Sequence, residues 1–193
     1  LTTQYVSMLN AVDADHLDYD EWTVRNPGLN PGQRVEPTAA DLADYTRVVW
    51  YTGRGETARG GGSPPAGPSP AAEASLATFL NGGGCLLIDS PQYAKDRGVT
   101  TFAKDYLGVG SVTQDVAPTQ VTGTGLVPFF AVLPTVPLTT DEGLPPSSSD
   151  AIVPSGAAGT HSLLKYGTGT AAVGRDNGIY RSAYFGFALP MVP

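Results

Sequence analysis

The stretch SPAAEASLATFLNGGGCLLIDS, residues 69 to 90, carries the reading of the fold. Ser69 can accept from the unbonded amides of a first helical turn, and Pro70 suits the first helical position, where its missing N–H loses nothing. Ala72, Leu76, Phe79 and Leu80 recur at helical spacing, and Asn81 with Gly82 ends the run. CLLIDS, at 85 to 90, is an apolar run too short for a helix, as in a strand covered on both faces.

The same alternation extends outward. RVVWYT, at 47 to 52, is a second continuous apolar run and is predicted to lie centrally in a parallel sheet. Between the two runs, residues 53 to 70 hold six glycines and four prolines and form a long excursion. Tyr5, Met8, Leu9 and Val12 predict a helix over 3 to 12, and HLDYDEWTV, at 16 to 24, predicts a strand. After the turn cluster at 26 to 37, Thr38 and Asp41 form a capping box that opens a short second helix. TTFAKDYLG, at 100 to 108, reads as a helix closed by Gly108. Helices alternating with buried strands predict a doubly wound α/β fold, a mainly parallel sheet with helices on both faces.

Beyond residue 110 the pieces are strand-like, and Asp176, Asn177 and Gly178 mark a hairpin, since Asn-Gly tolerates positive φ. These strands are expected to add antiparallel edges. The whole, 1 to 193, is read as one domain: a βα core over 1 to 110 and a strand-rich, loop-rich extension over 111 to 193.

Composition excludes several functions. Eleven Lys and Arg against 18 Asp and Glu give a net charge of -7, so no basic excess is present to neutralise phosphates. Nucleic acid is excluded as a partner. No apolar run approaches the roughly 20 residues of a membrane helix, so no membrane span is expected. One cysteine, Cys85, can close no internal disulfide and reads as a small buried hydrophobe. Few lysines, many Ser and Thr, and Asp in excess of Glu suit an extracellular or cell-surface protein, and the start at Leu1 suits a fragment or processed chain.

LATFLNGGGCLLIDS resembles the class I glutamine amidotransferase-like superfamily, including its trehalose-utilisation-like domains. YDEWTV, TAADLADYTRVVWYTG and IYRSAYFGFAL are similar to amidotransferase-like (flavodoxin-like) domains appended to large secreted bacterial proteins such as peptidases. The resemblance implies a nucleophile on the tight turn after the strand. Ser90 holds that position, without G-x-S-x-G around it, and Cys85 lies at the strand's opposite end. Relatives also begin with a hydrophobic strand before the first helix, and this chain starts at the helix.

Ligands of open parallel sheets gather beyond the carboxyl ends of strands, which here means Gly53, Arg54, Asp89 and Ser90. Ser90 could act as a nucleophile with His161 as base and Asp89 or Asp150 as orienter. The structural alternative is that Ser90 caps a short helix beginning at Pro91. GRGETA, at 53 to 58, matches a dinucleotide fingerprint in letters only, because no helix follows it. The two histidines, His16 and His161, carry no zinc spacing. The cofactor expectation is none, with Ca²⁺ at Asp13, Asp15, Asp18 and Asp20 as the alternative to a solvated acidic strand end.

The leading expectation is a non-catalytic extracellular accessory or structural domain. It would act through contacts with other domains or subunits of a larger protein, including a strand donated by another segment. The alternatives are a serine hydrolase using Ser90 and His161, and a carbohydrate- or peptide-binding module built on aromatics such as Trp22 and Trp50.

Overall fold

The computed structural model describes residues 5 to 7, 9 and 10, 19 to 24, 35 to 52, 66 to 125, 127 to 140 and 145 to 193. Ser69 accepts from the Ala72 amide at 3.3 Å and opens helix α1, Pro70–Asn81, which Gly82 closes. Strand β1, Arg47–Tyr51, precedes this helix and pairs in parallel with β2, Cys85–Asp89, which follows it. Two short helices come next, α2 over Tyr93–Arg97 and α3 over Thr101–Asp105. The chain then turns to strands: β3 Val109–Thr113, β4 Gln120–Gly123, β5 Val136–Pro137, β6 Ala151–Pro154, β7 Thr160–Lys165, β8 Thr170–Asp176 and β9 Arg181–Phe185. A four-residue helix, α4 over Pro128–Ala131, separates β4 from β5.

These strands form one mixed sheet in the order β1-β2-β9-β8-β7-β4-β5, with β6 joined to β3 and to β8. Only β1, β2 and β9 run parallel, and the remaining pairs are antiparallel. Thr170 pairs with Lys165 on one side and Ile152 on the other, so β6 takes over the β9 edge of β8 where β9 ends.

The expected doubly wound, helix-rich α/β fold is therefore corrected to a curled, strand-dominated mixed sheet with few helices. Among the described residues a single helical crossover, α1, links two parallel strands, and after β2 the chain returns to the parallel group only at β9. The C-terminal strands make up most of the sheet, and β9 lies inside it. β1, expected centrally, is a terminal strand among the described residues.

The second helix is also corrected. Thr38 and Asp41 do make the reciprocal box, with Thr38 N–H donating to Asp41 Oδ2 at 2.8 Å and Asp41 N–H to Thr38 Oγ1 at 3.3 Å. Residues 39 to 44 nevertheless form only turns, because Leu42 is their one buried apolar side chain and there is no stripe to pack. Of the segment 16 to 24, Val24 makes an isolated bridge and residues 16 to 18 lie outside the described residues.

Side-chain alternation in the central strands sorts the core into two clusters. Leu86, Ile88 and Tyr184 join Leu76, Leu80, Leu107 and Val173 on the α1 side. Leu87, Ala183 and Phe185 meet Leu163, Leu164, Phe187 and Met191 on the other. Gly84, between α1 and β2, is required by close approach: a Cβ there would lie 2.3 Å from the Phe79 ring.

Candidate functional site

The carboxyl ends of β1 and β2 bring Thr52, Asp89 and Ser90 together, held by the Thr52 amide donating to the Asp89 carbonyl at 3.2 Å. Alternation sends the Asp89 side chain to the face of Leu87. There Tyr5, from the N-terminal helical residues, donates its hydroxyl to Asp89 Oδ2, and the Leu189 amide donates to the same oxygen at 2.9 Å. The Tyr5 ring stacks on Tyr51 of β1, with centroids 4.0 Å apart. Asp89 Oδ1 is buried without a hydrogen-bond partner among the described residues. Burial raises the Asp89 pKa from 3.8 to about 7, against the two hydrogen bonds, which lower it.

Ser90 is fully buried. Its hydroxyl donates to the Ala66 carbonyl and accepts from Thr52 Oγ1 at 2.7 Å. The buried segment 66 to 68 therefore covers the rim at this point. The capping alternative for Ser90 is corrected too. Helix α2 starts at Tyr93, its N-cap Gln92 makes no side-chain cap bond, and Ser90 contributes only its carbonyl, which accepts from the Tyr93 amide at 3.1 Å.

The structure does not bring His161 to Ser90. Across the sheet Leu87 pairs with Ala183, Ala183 with Gly174, and Gly174 with His161. Three strand spacings, on the order of 14 Å, thus lie between β2 and the imidazole, and Ser90 is further along again. His161 is exposed and instead acts electrostatically on Asp176, beside the β8–β9 hairpin at the opposite end of the sheet. A carbonyl oxygen cannot take the Ser90 proton, so the hydroxyl has no base among the described residues. Cys85 is half-buried in register between Arg47 and Arg181, at the far end of β2 from Ser90.

Asp150, the other candidate orienter, is fully buried, and its charge acts on Tyr166 and Tyr184. Its backbone amide donates to the Gly186 carbonyl at 2.6 Å. Gly53, Arg54, Asp13, Asp15 and Asp18 lie outside the described residues. Asp20 is exposed and accepts from the Tyr45 hydroxyl, and no grouping of three or more metal-ligating side chains occurs among the described residues. Trp22 and Trp50 are half-buried: Trp22 Nε1 donates to the Val35 carbonyl at 2.8 Å, and Trp50 packs on the α1-side core. No described helix is long and apolar enough to cross a membrane.

Solved structures offer a likeness at the level of fold. A ThuA-like protein from Bacteroides uniformis superposes with a TM-score of 0.54 at 14% identity, over 97% of this chain and 73% of that one. At the level of fold, the chain is similar to that ThuA-like protein, in coarse agreement with the amidotransferase-like resemblance. Two proteins of Salmonella typhimurium, both described as cytoplasmic, match with TM-scores of 0.47 and 0.45 at 13% and 15% identity, over 78% and 77% of this chain. The chain spans 64% and 62% of their respective lengths. The extracellular placement drawn from composition is withdrawn. No protein-family model and no curated protein matches the sequence.

Sequence reasoning reached Asp89 and Ser90 through the rule that ligands collect beyond strand ends, but it missed what surrounds them. Tyr5, Ala66 and Leu189 are separated from them by 84, 24 and 100 positions respectively. No local signal links such residues.

Proposed function

We propose that this chain is a non-catalytic module on an amidotransferase-like fold that acts through protein–protein contacts. The observation that carries the reading is the state of Ser90. At the rim position where the resemblance places a nucleophile, the hydroxyl is fully buried and spends its proton on the Ala66 carbonyl. A buried serine with no base among the described residues contributes structure to this rim rather than attack on a substrate.

The contact surface is the side of β1 to which no described strand is bonded. The opposite end of the sheet is blunted by β5, two residues long and ending in Pro137. β1 carries no proline, lysine or bulge, is a terminal strand among the described residues, and leaves Val49 40% exposed at its centre. A strand supplied by another segment or subunit would satisfy such an edge.

Two measurements test the reading. Purified chain is expected to show no turnover of ester or amide substrates beyond that of Ser90→Ala, and turnover lost in Ser90→Ala would overturn it. Concentration-dependent assembly, followed by sedimentation, is expected to be lost in Val49→Lys. Assembly indifferent to that change removes β1 from the contact.

A further inference from the structure

The connection from β3 to β4, residues 114 to 119, carries strain that the rest of the described backbone lacks. Asp115 has φ of 55° and Ala117 of 47°, the only non-glycine residues with positive φ among the described residues. Alanine has no side-chain bond to offset that conformation. The segment is pinned across the sheet end: the Asp115 amide donates to Asp150 Oδ1 at 3.2 Å, and the Val116 amide to the Ser149 carbonyl at 2.9 Å. Residues 116 to 120 also form one wall of an open groove of about 300 Å³, whose other wall is Tyr166, Gly167 and Thr168. The Tyr166 hydroxyl donates to the Asp150 carbonyl at 3.3 Å.

Asp150 is fully buried, and its second oxygen, Oδ2, has no hydrogen-bond partner among the described residues. A neutral carboxyl tolerates that environment. A carboxylate there has one oxygen with no donor and leaves a charge poorly solvated. The groups facing it differ in sign. Asp115 places a second negative charge beside it, while Lys95 of α2, 3.1 Å from Asp115, opposes that repulsion. Tyr166 and Tyr184 are held neutral by burial, which raises both above the ordinary tyrosine range.

We propose that residues 114 to 119 are a proton-controlled latch, closed over Asp150 when its carboxyl is neutral and loosened when ionisation draws water to it. Opening breaks the hydrogen bonds that the Asp115 and Val116 amides donate, relieves the strain at Ala117 and reshapes the groove wall. The balance of burial, the Asp115 amide and the two flanking charges raises the Asp150 pKa from 3.8 to about 7 in the closed state. An opened, hydrated Asp150 titrates near 3.8. The open population therefore rises about tenfold per pH unit between those values and levels off above about 7.

The test is amide hydrogen exchange of the whole chain, corrected for intrinsic rates, from pH 5 to 8. Protection at Asp115 and Val116 is expected to fall about fiftyfold between pH 5 and 7 and then flatten, and to be pH-independent in Asp150→Asn. Constant wild-type protection, or the same fall in the variant, overturns the latch. Carbon-13 titration of the wild-type Asp150 carboxyl needs no variant: a midpoint near 7 is expected, and one near 4 overturns the proposal.

Discussion

Asp89 and Ser90 are neighbours in sequence that meet opposite environments because a strand sends successive side chains to opposite faces. Ser90 is satisfied by Ala66 and Thr52, whereas Asp89 is left with one buried oxygen lacking a donor among the described residues. The native state therefore favours protonated Asp89, and the sign of its pH effect follows. Below pH 3.8 folded and unfolded chains both hold the proton, and the group contributes nothing. As pH rises toward 7 the unfolded chain has lost the proton and the native one has not, so stability falls by up to about 1.4 kcal/mol per unit and then levels off. Asp89→Asn keeps an acceptor for Tyr5 and Leu189 without the charge. Urea unfolding is expected to show the variant matching wild type near pH 4 and exceeding it by a few kcal/mol at pH 8. A difference that does not change with pH would sink this account. The position of Asp89 at a strand end was legible in the sequence. Its environment was not, because Tyr5 and Leu189 reach it only through the tertiary fold.

Among elements, α1 and β2 were readable because each carries its own punctuation. α1 has Ser69, Pro70 and a closing Asn-Gly, and its Leu76 and Leu80 are fully buried against the sheet. Leu80→Ala is expected to cost about 2 to 5 kcal/mol in chemical denaturation, the range for deleting a buried leucine side chain. Ser69→Ala is expected to cost about 1 kcal/mol, the usual worth of an N-cap. It should cost more if the bonds from Ser69 to the Glu36 carboxylate also weaken. Glu36→Gln in the same background separates the two contributions. The 38 to 44 segment shows the converse, since a correct capping box cannot extend a helix that has a single apolar contact to make. At the hairpin, Gly178 supplies the positive φ of 84°, while Asn177 works through its side chain, Oδ1 accepting from Ile179 and Tyr180 amides at 3.0 Å.

At the scale of the molecule, topology depends on which strands find each other, and periodicity does not encode that. IYRSAYFGFAL announced a buried strand, and the hairpin before it announced an antiparallel neighbour. Neither revealed that its other edge would pair in parallel with β2, register Cys85 to Arg181 through Asp89 to Phe185. This pairing joins the α1 crossover to the antiparallel strands and places Tyr184 in one core cluster and Phe185 in the other. β9 is bonded along both edges and covered on both faces, so its amides can exchange only when both halves of the sheet separate. β4 and β5 share two register pairs, and Pro137 donates no bond. Native-state hydrogen exchange is therefore expected to find the slowest amides in β9 and β2, opening with the full unfolding free energy, and β4 and β5 opening at a fraction of it. If β9 instead exchanged as freely as β5, the parallel pairing with β2 would not be the junction that makes the sheet one cooperative unit.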